Sequence, residues 1–190
     1  MRKLGILRFG NIDNDLILFI TNELGKIFSN VFNKVEVLKK IEKIPPIAFN
    51  QQRNQYKAPL IMEVIRSNAL NSGYDKILGI VNVDLYVPNL NFIFGQAEFS
   101  ESGKDTRACI ISITRLMPSF YKNIELNKDL VKLLYLRTLK EALHEIGHTL
   151  GLRHCNSFNC VMRFSNCLED TDEKPAYFCK KCAKKIGIFI

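Results

Sequence analysis

All three histidines of this 190-residue chain fall between residues 144 and 154, and five of its six cysteines fall between residues 155 and 182. The histidines stand as His144-Glu145-x-x-His148-x-x-Gly151-x-x-His154. On a helix turning about 100° per residue, His148 lies about 40° around from His144 and one turn along, so both imidazoles reach one ion. His154 is too distant for that face. Gly151, however, enters a left-handed conformation without penalty, which ends the helix and brings His154 back to the same ion. Three protein ligands on zinc leave a fourth position for a water, whose pKa the metal lowers toward about 7. Glu145 adjoins a ligand without being needed as one, so it can take that water's proton and later deliver it to a leaving amine. The bland alternative is a helix with two solvated histidines and a chance glutamate. Against it, Leu139, Leu143, Ile146 and Leu150 form a stripe centred roughly 130° from His144, which buries one face and leaves another to present histidines.

The cysteines pose a separate problem. Cys155 and Cys160 are five apart and Cys179-x-x-Cys182 is a close pair, so two short loops can close a tetrahedral four-thiolate zinc site with no open position. Such a site supplies on the order of 10 kcal/mol toward folding a segment with little core of its own. Disulfides and a redox-active arrangement are the alternatives. Cys167 lies inside the intervening loop and could replace one ligand, whereas Cys109 sits in an expected strand and reads as a small core residue.

The elements that must position these groups follow from patterning. Lys3 to Phe9 reads as a first strand, and Asn11 or Asp13 caps a helix through Ile27. Asn33 to Leu38 alternates like a strand, Pro45-Pro46 opens a loop with a polar run over Asn50 to Asn54, and a helix covers Pro59 to Leu70. Residues 76–87 read as a central strand, followed by strands over Asn91 to Phe99 and Arg107 to Thr114, with a bulge or close backbone approach at Gly95. From Asn127, an N-cap, a long helix runs to about Gly151. The expected order is β-α-β-α-β-β-β-α and then an irregular tail. Hydrophobic residues at 47% and charged residues at 24% exclude a disordered chain. The first apolar stretch is broken by Arg8, Asn11 and Asp13, too short for a signal peptide or membrane span, so a cytoplasmic location is expected.

The string from His144 through Cys155-x4-Cys160-x-Met162 to Cys179-x-x-Cys182 covers 39 residues and resembles the archaemetzincins, a metzincin-like clan of zinc metallopeptidases. Gln55-Tyr56-x-Ala58, Val83-Asp84-Leu85-Tyr86 and Asn91-Phe92-x-Phe94-Gly95-x-Ala97 extend the resemblance upstream. It implies an α+β (α/β-like) fold: a metzincin-like twisted mixed sheet with packed helices, a long zinc-binding helix and a small zinc-stabilised irregular C-terminal subdomain. Residues 1–151 would form the upper subdomain and 152–190 the lower. His144, His148 and His154 would bind catalytic zinc, Glu145 would be the general base, Cys155, Cys160, Cys179 and Cys182 would hold a second zinc, and Met162 would form a Met-turn. The Met162 to Cys179 gap holds 16 residues, about one fewer than the family spacing, which a loop can absorb. The substrate would lie along an edge strand containing Asn91, Phe92, Ile93, Phe94 and Gly95, paired by strand addition. Asp84 and Tyr86 either orient something near the cleft or end a strand.

A histidine-triad metal-dependent ribonuclease shares the histidine spacing, and a net charge of +8 would suit RNA. That pattern lacks a glutamate after its first histidine and lacks the cysteine module. Residues 152–190 are formally +3, and four thiolates with one divalent zinc bring this to about +1, so Lys180, Lys181, Lys184 and Lys185 compensate the thiolates. A catalytically silent, zinc-stabilised interaction protein is the third reading, opposed by retention of Glu145. The expectation is a monomeric zinc peptidase with two zincs per chain, acting on peptides or proteins and on neither nucleic acid nor membrane. Its basic excess is a surface property favouring acidic substrates.

Overall fold

The computed structural model describes residues 2–121 and 124–188. Strand β1 (Lys3–Phe9) is followed by helix α1 (Asn14–Ile27), whose first turn is capped by Asp13 accepting from the Asp15 N–H at 3.0 Å. Strand β2 (Lys34–Glu42) runs past the expected end at Leu38 because its parallel pairing with β1 continues, through a register shift, to Phe9 opposite Glu42. The loop after Pro45 holds a 3-10 turn and a small hairpin of β3 (Phe49–Asn50) and β4 (Gln55–Lys57), with the polar run as its turn. Helix α2 (Ala58–Ser72) carries Pro59 in its first turn. Strand β5 (Lys76–Val81) is buried throughout.

Residues 76–87 are not one strand. The chain turns after Val81, where the Ser112 hydroxyl donates to the Val83 carbonyl, and β6 (Leu85–Tyr86) joins a different sheet, in the order β3-β4-β6. Strand β7 (Gly95–Ala97) and strand β8 (Ala108–Ser112) complete the main sheet, in the order β2-β1-β5-β8-β7, which is parallel except for β7. Helix α3 (Pro118–Tyr121) precedes helix α4 (Lys128–Thr149), whose cap Asn127 accepts from the Asp129 and Leu130 N–H groups at 3.0 Å each.

The inner parallel strands β1, β5 and β8 bury both faces, as crossover helices require, whereas the edge strand β2 is largely exposed or half-buried. Leu7, Phe9, Ile77, Val81 and Ile110 pack toward α2, while Ile6, Leu78, Ile80, Cys109 and Ile111 pack on the other face with residues of α1 and α4. Cys109 is thus a core residue. The stripe Leu139, Leu143, Ile146 and Leu150 is buried in this second cluster. The tail is less irregular than expected: it forms helix α5 (Leu168–Glu173) and helix α6 (Lys180–Ile186), and Val161, Met162, Phe178, Ala183 and Ile186 enter the same core. Sharing an existing core lets short helices form that would not be stable alone. Among the described residues, no helix is long and apolar enough to cross a membrane.

Candidate active site

Helix α4 ends in a Schellman turn. The Leu152 N–H donates to the Gly147 carbonyl and the Gly151 N–H to the His148 carbonyl, with Gly151 at φ 91°. A side chain at Gly151 would also meet the Glu101 carbonyl oxygen at 2.6 Å. The turn does two things: it reverses the chain toward His154, and it places the Leu152 carbonyl to accept from His148 Nδ1 at 2.8 Å. His144 Nδ1 is likewise held by the Val161 carbonyl at 2.9 Å. Both rings therefore carry their proton on Nδ1 and turn the Nε2 lone pair inward, where the two Nε2 atoms stand 3.1 Å apart. Burial pushes both imidazoles toward the neutral form, that of His148 down to about 4. His154 completes the group, and the three rings offer nitrogens within 4.8 Å of one another. Phe164 packs on His154 at a ring-centroid distance of 4.8 Å.

The Sγ atoms of Cys155, Cys160, Cys179 and Cys182 form a second group within the same limit, and all six cysteines are free thiols. Cys155 and Cys179 are 3.9 Å apart at sulfur, far outside a disulfide bond of about 2.05 Å. Cys167 stands outside this group. It is exposed, with its N–H and thiol on the Asp170 carboxylate. The two groups are mechanically joined: Cys160 is followed by Val161, whose carbonyl fixes His144, and by Met162, whose carbonyl accepts from the Cys155 N–H at 2.9 Å. Met162 lies beneath the histidine helix, and a side chain at Gly147 would meet its sulfur at 2.5 Å.

The histidines open on a cleft of about 660 Å³ between the edge strand and the tail. Glu145 lines it and is buried, and burial with the Glu141 carboxylate nearby raises its pKa well above the usual range. Its carboxylate sits directly under the edge strand, since a Cβ on Gly95 would lie 2.7 Å from both its Cγ and its Oε1. The strand expected over Asn91 to Phe99 is confined to β7. Asn91, Phe92, Ile93 and Phe94 form a rim ahead of it, tied to β6 by an isolated bridge in which the Ile93 N–H donates to the Leu85 carbonyl at 3.0 Å, and otherwise held largely by side chains. Arg53 donates to the Leu90 and Asn91 carbonyls, and Gln55 to the Asn91 carbonyl and Asp84. Asp84 takes a bidentate pair from Arg115 at 2.7 and 2.8 Å, and that guanidinium faces the Phe92 ring at 4.1 Å. Asp84 thus anchors the rim, and Tyr86 supports it by packing under the Arg53 guanidinium at 4.4 Å. Because Phe94 and Glu98 bond to β8, the intervening Gly95 and Ala97 turn their N–H and C=O groups to the open edge.

Sequence reasoning missed the buried charges beside the site: Arg137, Lys140, Glu141 and Lys174. Glu141 was nonetheless legible, since positions 141, 144, 145 and 148 share one helical face.

A mixed sheet over a His-Glu-x-x-His helix, with a third histidine returned by a glycine turn, defines a zinc metallopeptidase. The model for "Peptidase family M54" matches residues 1–187. An archaemetzincin of Methanocaldococcus jannaschii is 44% identical over 95% of this chain and 92% of that protein, and one of Sulfolobus acidocaldarius is 35% identical over 99% and 98%. The solved structure of an Archaeoglobus fulgidus archaemetzincin complexed with malonate superposes with a TM-score of 0.76 at 34% identity, covering 96% of this chain and 99% of that one. A zinc-dependent peptidase from Methanocorpusculum labreanum gives a TM-score of 0.80 at 27% identity, covering 96% and 99%. The chain belongs to peptidase family M54, the archaemetzincins.

The close approach at Gly95 makes a prediction. In Gly95→Ala the added methyl must displace the Glu145 carboxylate or the β7 backbone, since the Ile110 carbonyl at 2.8 Å blocks retreat toward β8. A displacement near 1 Å costs about 100-fold in kcat. Steady-state kinetics on a peptide should show kcat falling by about that factor with zinc content unchanged.

Proposed function

We propose that His144, His148 and His154 hold the catalytic zinc of this peptidase, that Glu145 is its general base and acid, and that Cys155, Cys160, Cys179 and Cys182 hold a second, structural zinc. The observation that carries this is the inward pair of Nε2 atoms. Two neutral imidazoles whose lone pairs face each other at 3.1 Å repel unless a cation lies between them, so the donor set fits a metal. The sulfur spacing of 3.9 Å fits equally, being close to the roughly 3.8 Å edge of a tetrahedron with Zn–S bonds of about 2.3 Å.

Zinc bound by the histidines supplies Lewis-acid polarisation of a carbonyl and lowers the pKa of a water. The chain supplies the rest. A peptide adds to the free edge of β7 through the N–H and C=O groups of Gly95 and Ala97, with Asn91, Phe92, Ile93 and Phe94 as the adjoining rim. That alignment runs the peptide across Glu145. The Glu145 carboxylate accepts the proton a water loses on attacking the peptide carbonyl carbon, then returns it to the amine nitrogen as the C–N bond breaks. Burial of Glu145 makes it more basic than a solvated carboxylate, which suits proton abstraction. Met162 is the floor under the helix, and residues 1–151 and 152–190 form the upper and lower walls. Peptides, not nucleic acid, are the substrate, and six cysteines without a disulfide suit a reducing cytoplasm.

Metal analysis tests this assignment. Purified protein should contain two zincs per chain and, after denaturation and zinc removal without reductant, six free thiols. A chelator should abolish peptide cleavage by emptying the histidine site before the thiolate site. A single zinc, or cleavage that survives loss of both, would sink the assignment.

A further inference from the structure

Among the described residues, four buried side-chain polar atoms lack a hydrogen-bond partner. Three of them, Gln96 Oε1, Ser165 Oγ and Lys174 Nζ, belong to residues lining the cleft. Buried polar groups are ordinarily satisfied, so a concentration of unsatisfied ones in a single cavity marks where a ligand completes the bonding. Lys174 is the most costly of the three to leave unmet, because an ammonium is a charge with three donors. Its Nζ lies 2.8 Å from Glu141 Oε1, but outside the alignment of a hydrogen bond, and that oxygen already accepts from the Thr171 hydroxyl at 3.1 Å.

The donors left on Lys174 and Ser165 favour an anionic acceptor. Arg137 forms a fork on Asp172 at 2.6 Å in both contacts, and the Lys140 ammonium is held by the Thr171 and Asp172 carbonyls, which are neutral. Arg137 and Lys140 are thus held behind the cleft by groups of α5 and its neighbourhood, and Lys174 is the cation of this cluster that lines the cleft itself. Glu145, one turn from Glu141 on the same face of α4, is a third carboxylate near this cluster, packed on its other side against Gly95. Both donor groups, the Lys174 ammonium, ion-paired to Glu141 but with donors to spare, and the Ser165 hydroxyl, come from the tail after Met162. The Gln96 amide oxygen on the edge strand remains to accept an N–H of the same ligand.

We propose that Lys174, assisted by Ser165, is the specificity determinant of this cleft, and that it binds a carboxylate of the peptide, either an Asp or Glu side chain or a free C-terminus. This rests on the peptidase reading and names the substrate class for it.

The test is calorimetric binding to the zinc-loaded Glu145→Gln protein, using three peptides of one sequence: uncharged with an amidated C-terminus, the same with one Gln changed to Glu, and the same with a free C-terminal carboxylate. The peptide bearing the recognised carboxylate should bind about tenfold or more tighter than the uncharged one, and the two acidic peptides separate side chain from terminus. Lys174→Arg should keep the preference, whereas Lys174→Met should bring the ratio to about one. Should Lys174→Met fail to fold because Glu141 is stranded, the Glu141→Gln/Lys174→Met double variant removes both charges together and gives the same reading. The proposal is overturned if no acidic peptide is preferred, if the preference survives in the double variant, or if none of the peptides binds at about 1 mM, which would mean that water alone satisfies these atoms. Hydrolysis plays no part in this readout. Failure of the peptidase reading would appear as peptides left uncut by the protein with Glu145 intact, with the carboxylate preference still measurable.

Discussion

Glu145→Gln should lower peptide hydrolysis by about 100- to 10 000-fold, the range supplied by a positioned general base, while the protein keeps its zinc and its fold. Among the described residues nothing donates a hydrogen bond to the Glu145 carboxylate, and burial acts against its charge, so the neutral amide removes an electrostatic burden without breaking a contact. The amide has nearly the same shape and fits the space under Gly95 that constrains the carboxylate. The informative measurement is therefore joint: kcat on an internally quenched peptide, zinc content and thermal melting on one preparation. Loss of activity together with a zinc would make Glu145 a ligand instead of a base. Activity within a few-fold of the parent would remove it from the mechanism.

Cys160→Ser should have the larger effect on the molecule. A structural zinc supplies on the order of 10 kcal/mol toward folding, comparable to the 5–15 kcal/mol by which a whole domain is typically stable. Cys160 is fully buried, and its sulfur also accepts from the Cys179 N–H at 3.4 Å. The next residue, Val161, accepts from His144 Nδ1 through its carbonyl and donates its N–H to the Tyr177 carbonyl at 2.8 Å. Releasing this segment frees the His144 ring, withdraws Met162 from beneath Gly147 and loosens the wall that carries Lys174. The expected result is loss of both zincs, rapid proteolysis beyond residue 152 and no peptidase activity. Cys167→Ser is the control: that thiol is exposed and outside the sulfur group, so both zincs should remain. Retention of two zincs and activity in Cys160→Ser would dissociate the two metal groups.

Much of this architecture was legible from the chain because it depends on local rules. The Asn127 cap, the stripe from Leu139 to Leu150 and the left-handed turn at Gly151 each follow from the intrinsic geometry of a helix and its ends. The misjudged elements are those whose limits are set by distant partners. Residues 76–87 read as one strand by composition, yet they divide between two sheets because Ser112 and Arg115, remote in sequence, capture Val83 and Asp84. Asn91 to Phe99 likewise alternates like a strand, but Arg53 and Gln55 take the carbonyls at its start.

For the site, the sequence alone determined which groups can do chemistry. Histidine spacing on a helix and paired cysteine loops are short-range constraints, and the two groups we propose as ligand sets lie within 39 residues. Tertiary structure decided everything that gives those groups direction. Which ring nitrogen faces inward depends on the Val161 and Leu152 carbonyls, and what covers Glu145 depends on a strand fifty residues earlier in the chain, at Gly95. That Lys174 is buried with donors to spare depends on how the tail folds against α4. Hydrogen bonds and burial are relations between residues brought together by packing, so no single segment encodes them.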